Sequence, residues 1–79
     1  MKKSYIHSMD VKILNFTIFL IHKLAAAWKV SPGRVYWMLN SSGILDNYVI
    51  KCYDVLHTFG AEAMVDDLSE LAREKGVLK

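Results

Sequence analysis

The sequence contains little cysteine, glycine or proline, and each scarcity excludes a class of structure. The single cysteine, Cys52, has no partner for an intramolecular disulfide bond and cannot supply a cysteine-rich zinc site. A reducing, cytoplasmic setting is therefore expected. The four glycines are too dispersed to form a phosphate-binding loop, and they suit turns and helix caps instead. The single proline excludes a proline-rich linker. The chain also has no low-complexity tract, internal repeat or long linker.

A strong excess of one charge is also missing. The formal net charge is +2, which is too small to indicate nucleic-acid binding by itself. The charges are nevertheless unevenly divided, because residues 1–51 are mainly basic and residues 52–79 are mainly acidic. Such a division is typical of a solvated surface, or of two faces for two partners.

What the sequence does contain is apolar residues, which make up 53% of its 79 positions. This length predicts one domain, and the composition excludes intrinsic disorder. A small core cannot absorb so much apolar surface unless it packs unusually well, so part of the surplus is expected to meet a partner. We assign residues 1–10 to a flexible N-terminal arm and residues 11–79 to a single helical domain.

The apolar periodicity of 3 to 4 residues predicts helices, and no strand-like alternation competes with it. Asp10, Ser31-Pro32 and Asp46 are good helix starts, whereas Gly43, Gly60 and Gly76 are good helix ends. The expected fold is an all-α compact four-helix bundle. Its helices are expected at about 11–28, 32–42, 47–59 and 61–75.

The first helix has an apolar face wider than a surface helix needs. We therefore expect it to be the central helix, with the other three packed around it. Its apolar character also imitates a secretory signal or a transmembrane span. However, Asp10, Lys12, His22 and Lys23 interrupt both patterns, so neither a signal peptide nor a membrane association is predicted.

Five aromatic residues exceed what a core of this size needs: Phe19, Tyr36, Trp37, Tyr48 and Tyr53. Four of them are candidates for a protein interface, because aromatic side chains are enriched at interface hot spots. Phe19 falls among polar residues of its helix, whereas the others extend the apolar sides of the second and third helices. The candidate interface residues are Phe19, Tyr36, Trp37 and Tyr53.

The segment from Leu24 to Met38 resembles a helix-turn-helix, which makes DNA binding the alternative function. In that alternative, Arg34 and Asn40 would read base edges and Lys29 would contact phosphate. Lys29 stands where such a turn normally has glycine, and a single arginine is a thin basic surface for DNA.

No catalytic or metal site is predicted. Asp54 and His57 are three residues apart and can meet on one helix face, but Cys52 points roughly 200° away from Asp54. A nucleophile must lie within about 3 Å of its base, so the cysteine is expected to be a buried apolar residue. The three histidines lie on separate segments without metal-ligand spacing, and no cofactor is expected.

Several short motifs resemble a short bacterial family of unknown function. They are Asn15–Ile21, Ala25-Ala26-Ala27-Trp28, Ser31-Pro32, Val35-Tyr36, Ser42–Leu45 and, most specifically, the Cys52–Gly60 block (Cys-Tyr-Asp-Val-Leu-His-Thr-Phe-Gly). The resemblance covers about residues 11–78. It implies a small, stand-alone, all-helical cytoplasmic protein without an established activity, and it transfers no catalytic residue.

The genes of this family tend to lie beside other small genes, some of them ADP-ribosyltransferase-like, which resembles a toxin–antitoxin arrangement. The resemblance therefore implies a protein partner. The function expected first is that of a non-enzymatic protein-interaction module. Such a module either associates with itself as a homo-oligomer or neutralises the product of a neighbouring gene. A helix-turn-helix DNA-binding protein is the alternative.

Overall fold

The computed structural model describes residues 11–78, and this part of the chain is helical without any strand. The all-α prediction is confirmed, but a regular four-helix bundle is not, because only three of the five helical elements exceed six residues. The predicted N-terminal arm, residues 1–10, lies outside the described residues. The elements are α1 (Val11–Trp28), α2 (Pro32–Ser42), a π-helix (Leu45–Ile50), α3 (Tyr53–Leu56) and α4 (Ala61–Glu74).

The turn between α1 and α2 is a helix C-cap followed at once by a helix N-cap. Lys29 adopts the left-handed conformation, with φ at +59°, and the N–H of Val30 donates to the carbonyl of Ala25 at 3.2 Å. A lysine there costs about 1 kcal/mol relative to glycine. The Ser31 hydroxyl then accepts from the Arg34 N–H at 3.1 Å, which confirms the predicted start of α2.

The end of α2 requires a glycine for two reasons. Gly43 adopts a φ of +85°, which side-chain-bearing residues rarely reach. A Cβ atom at this position would also lie only 3.1 Å from the side-chain nitrogen Nδ2 of Asn47. The predicted glycine cap is therefore confirmed.

The third predicted helix, 47–59, is wrong as a continuous element. The helix starts earlier as the π-helix, turns at residues 51–52 and resumes only as the four-residue α3. Cys52 leaves helical geometry, with φ at −103° and ψ at +20°. Val49 before the break and Leu56 after it are both buried in the core. Gly60 consequently begins α4 rather than ending the third helix.

All the helical elements contribute to the core, and α1 packs against α2, α4 and the π-helix. The buried residues of α1 begin at Thr17, whereas Val11, Leu14 and Ile18 are exposed. The expectation that three helices surround α1 is thus wrong for its N-terminal half. The fully buried side chains are Leu20, Leu24, Val35, Leu39, Ile44, Val49, Leu56 and Leu68.

Two side-chain hydrogen bonds hold α4 against the rest of the domain. The indole N–H of Trp28 donates to the Ser69 hydroxyl at 2.8 Å, which joins the end of α1 to the middle of α4. On the other side of α4, the Tyr48 hydroxyl donates to the Asp67 carboxylate and joins the π-helix. The last helix is therefore fixed from two directions.

Candidate interaction surface

Aromatic side chains form a row that crosses from α1 to α3. The Phe16 and Tyr53 rings meet edge to face, with centroids 5.2 Å apart, and the His57 ring stacks on Tyr53 at 4.6 Å. Phe19 lies three residues from Phe16, on a neighbouring part of the α1 surface. The ammonium group of Lys23 lies 5.6 Å from the centroid of the Phe19 ring. We call Phe16, Phe19, Tyr53 and His57 the aromatic row.

Two candidate interface residues belong to the aromatic row, and they differ in exposure. Phe19 is 45% exposed, so its ring faces solvent beside the Lys23 ammonium. Tyr53 is only half-buried, because it lies between Phe16 and His57. Phe19 therefore exposes more of its side chain than Tyr53 does.

The other two candidate interface residues lie on α2. Tyr36 and Trp37 are 49% and 59% exposed, and the guanidinium of Arg34 lies 6.0 Å from the centroid of the Trp37 ring. The opposite face of the helix is anchored in the core. The residues that anchor it are Val35, Met38 and Leu39. Trp37 is therefore an exposed aromatic residue on a rigid support.

A shallow groove separates the C-terminal half of α1 from the start of α4. Lys23 lines the α1 side, and the acidic residues Glu62 and Asp66 line the α4 side. Because Lys23 also covers the Phe19 ring, the groove adjoins one end of the aromatic row. Alanines and one valine complete its lining: Ala26, Ala27, Ala61 and Val65.

The residues of the alternative DNA-binding hypothesis all reach solvent. Lys29, Arg34 and Asn40 are exposed on the α1–α2 turn and on α2. One side of the Arg34 guanidinium is occupied by the Trp37 ring, with which it makes a cation–π contact.

Sequence reasoning missed five exposed apolar residues. Val11, Leu14 and Ile18 belong to the apolar face of α1, and Val55 and Phe59 belong to the apolar pattern of the third predicted helix, yet all five are exposed. The excessive width of the apolar face of α1 was the available signal. Nothing local to the sequence indicated which part of that face remains uncovered.

The residues around Cys52 contact the core and one another. Cys52 packs against the core, but it is half-buried rather than buried as expected. The His57 ring stacks on Tyr53, while Asp54 is exposed. Within residues 11–78, no group of three or more His, Cys, Asp or Glu side chains could hold a metal ion.

The hydroxyl group of Tyr48, on the π-helix, has a raised pKa. The hydrogen bond that Tyr48 donates to Asp67, together with burial and the nearby negative charge, raises the pKa of Tyr48 to about 12. The folded protein therefore favours the neutral phenol, which can donate this hydrogen bond.

We expect Tyr48→Phe to lower the free energy of unfolding by about 1 kcal/mol near neutral pH, because one hydrogen bond is lost. Since the folded-state pKa lies above the ordinary value of about 10, this stabilisation is complete below pH 10 and is lost as the pH rises to about 12. Urea unfolding at neutral and alkaline pH measures the difference. Tyr36→Phe, at an exposed tyrosine, is the control and should change little; a pH-independent effect of Tyr48→Phe contradicts the assignment.

Helix α1 is long and apolar enough to cross a membrane by length and composition alone. However, 28% of its 18 residues are buried inside the domain, and the core helices of soluble proteins pass the same test.

The fold and this surface define a class: a small helical domain that exposes aromatic side chains and, in its described residues, contains no grouped metal ligands. The chain belongs to the DUF3791 family, proteins of unknown function, whose pattern matches residues 15–75. The predicted resemblance to a family without an established activity is thereby confirmed. No curated protein and no solved structure matches the chain significantly.

Proposed function

We propose that this protein is a non-enzymatic, cytoplasmic protein-interaction module that binds, and by binding neutralises or assists, the product of a neighbouring gene. The observation that carries the proposal is the 59% exposure of Trp37, the largest type of side chain, on a helix anchored in the core. An aromatic ring of this size is costly to leave in water and gains most when a partner covers it.

Trp37 has two properties of an interface hot spot. Its ring lies beside the Arg34 guanidinium in a cation–π contact, so an aromatic and a cationic group are offered to a partner together. Tryptophan, tyrosine and arginine are also the residue types that dominate measured hot spots, and here Arg34, Tyr36 and Trp37 occur together. Phe19 and the half-buried Tyr53 supply further aromatic area on α1 and α3.

The test is affinity capture from the native cell with two variants of matched exposure, Trp37→Ala and Val55→Ala. Both side chains are 59% exposed, so truncating either one should leave the fold equally intact. We expect the wild-type protein and Val55→Ala to capture the neighbouring gene product. Trp37→Ala should bind it at least tenfold more weakly, because hot-spot truncations cost roughly 2 kcal/mol or more.

Purified bait and partner then give the affinities directly by titration calorimetry, with circular dichroism showing that each variant is folded. Equal affinities for the wild type and Trp37→Ala would exclude Trp37 as an anchor. Capture of no neighbouring gene product by the wild-type protein would count against the proposal as a whole.

DNA binding is the second candidate, favoured by the joint exposure of Lys29, Arg34 and Asn40. Phosphate contacts release counterions, so binding to duplex DNA would weaken steeply between low and moderate salt. Arg34→Ala and Asn40→Ala would then reduce discrimination between sequences, whereas Lys29→Ala would weaken all DNA binding equally. Absence of salt-dependent binding by the wild-type protein rejects this candidate and leaves the first one untouched.

A further inference from the structure

The uncovered part of α1 carries a seam of the kind by which two helices pair. Val11, Leu14 and Ile18 are spaced by three and four residues, and Ile21 and Ala25 continue the same spacing. This is the heptad pattern of a coiled-coil seam. Val11, Leu14 and Ile18 are exposed, whereas Ile21 is half-buried against the core and Ala25 is only 7% exposed. The seam is therefore open at the N-terminal end of α1 and begins to close at Ile21. We call Val11, Leu14, Ile18 and Ile21 the open seam.

The distribution of charged side chains around the open seam indicates what kind of surface can cover it. Asn15 and His22 border the seam on the solvent side, and neither position holds a lysine, arginine, aspartate or glutamate. Lys12 and Lys23 lie about 100° to 140° around the helix from the nearest seam residues. An acidic partner or an anionic membrane would require cations beside the apolar strip, whereas an identical strip meets no like charge here.

We propose that the open seam binds the same seam of a second copy of this chain, with the two α1 helices antiparallel. In the antiparallel heptad register, Leu14 packs against Ile18 of the other copy, and Val11 packs against Ile21 of the other copy. A two-fold axis makes each contact reciprocal, as in other symmetric dimers.

The closed end of the seam decides the orientation. A parallel pair would continue past Ile21 to Ala25, which is already buried within its own domain. In the antiparallel pair, about ten residues of each helix overlap, or roughly 15 Å, and the two domains project from opposite ends. This dimer surface is separate from Trp37, so it leaves the α2 surface available for another partner.

Sedimentation equilibrium over a wide concentration range tests the dimer, with Ile18→Ser and Phe19→Ser as a matched pair. Both side chains lie on α1 and are 45% exposed, but only Ile18 belongs to the open seam. We expect the wild type to dimerise, Ile18→Ser to raise the dissociation constant at least about tenfold, and Phe19→Ser to change it less than about twofold. Trp37→Ala should leave the dimer intact.

Cysteine cross-linking in a Cys52→Ala background tests the orientation. Under mild oxidation, a mixture of the Leu14→Cys and Ile18→Cys proteins should form the mixed disulfide, while neither protein alone cross-links efficiently. Cross-linking of each single variant to itself would show a parallel pair and overturn the proposed arrangement.

Three results overturn the second copy as the occupant. The first is a wild-type protein that remains monomeric at every concentration. The second is equal weakening by Ile18→Ser and Phe19→Ser. The third is a monomer that binds vesicles of phosphatidylcholine and phosphatidylglycerol, with this binding lost in Ile18→Ser, because the seam would then face lipid. None of these results affects capture of a neighbouring gene product through Trp37.

Discussion

Leu24→Ala is expected to lower the free energy of unfolding by about 3 kcal/mol, the largest effect of any single substitution considered for this protein. The Leu24 side chain is fully buried in the core, so truncation loses its transfer free energy and leaves a cavity that the small domain can only partly close. A domain of this size has a total stability of only about 4–12 kcal/mol. The variant should therefore unfold at a much lower urea concentration.

Leu14→Ala is the matched control, since it makes the same change on the same helix at a residue that is 39% exposed. We expect it to cost less than about 1 kcal/mol, because the Leu14 side chain is already partly in contact with water and its truncation leaves no enclosed cavity. Urea unfolding followed by circular dichroism measures both, at concentrations where the protein is monomeric. Equal losses would contradict the observed contrast between the covered and uncovered halves of α1.

Trp28→Phe is expected to cost about 2 kcal/mol, the second largest effect. The substitution removes the indole N–H that donates to Ser69 and leaves an almost fully buried hydroxyl without its donor. An unsatisfied buried polar group costs about 1–3 kcal/mol, in addition to the packing lost with the smaller ring. The effect follows from the tertiary structure alone, since the two residues are 41 positions apart.

A double-mutant cycle isolates the contribution of this hydrogen bond. Ser69→Ala removes the acceptor, and once it is absent Trp28→Phe should cost about 1 kcal/mol less than in the wild type. Thermal or urea unfolding of the four proteins supplies the coupling energy. Strict additivity would show that the indole and the hydroxyl do not stabilise each other.

The elements that the sequence predicted well are those with local start and stop signals. Helices α1 and α2 have their predicted bounds, and α4 ends within one residue of the prediction. Ser31 and Gly43 bound α2 through atoms only a few residues away, so their effect does not depend on the rest of the fold. The third helix failed because its break at Cys52 has no such local signal.

The candidate surface was predictable to the extent that it depends on helix position. Phe19 lies among polar residues of α1, and Tyr36 and Trp37 lie beside the buried positions of α2, so their exposure follows from helical periodicity. The burial of Tyr53 was not predictable in this way. It results from Phe16 and His57, and the contact with Phe16 joins two elements far apart in the chain.

The sequence by itself determined an all-helical chain, the caps of its helices and an apolar stripe that runs the length of α1. These depend on residue spacing and on hydrogen bonds within a turn or two. Only the tertiary structure decided which half of that stripe is covered. The cause is the placement of the other helices, including α4, which is fixed by Trp28 at the C-terminal end of α1 and by Tyr48 on the π-helix. The stripe is therefore buried at Ala25, half-buried at Ile21 and Trp28, and open at Val11, Leu14 and Ile18.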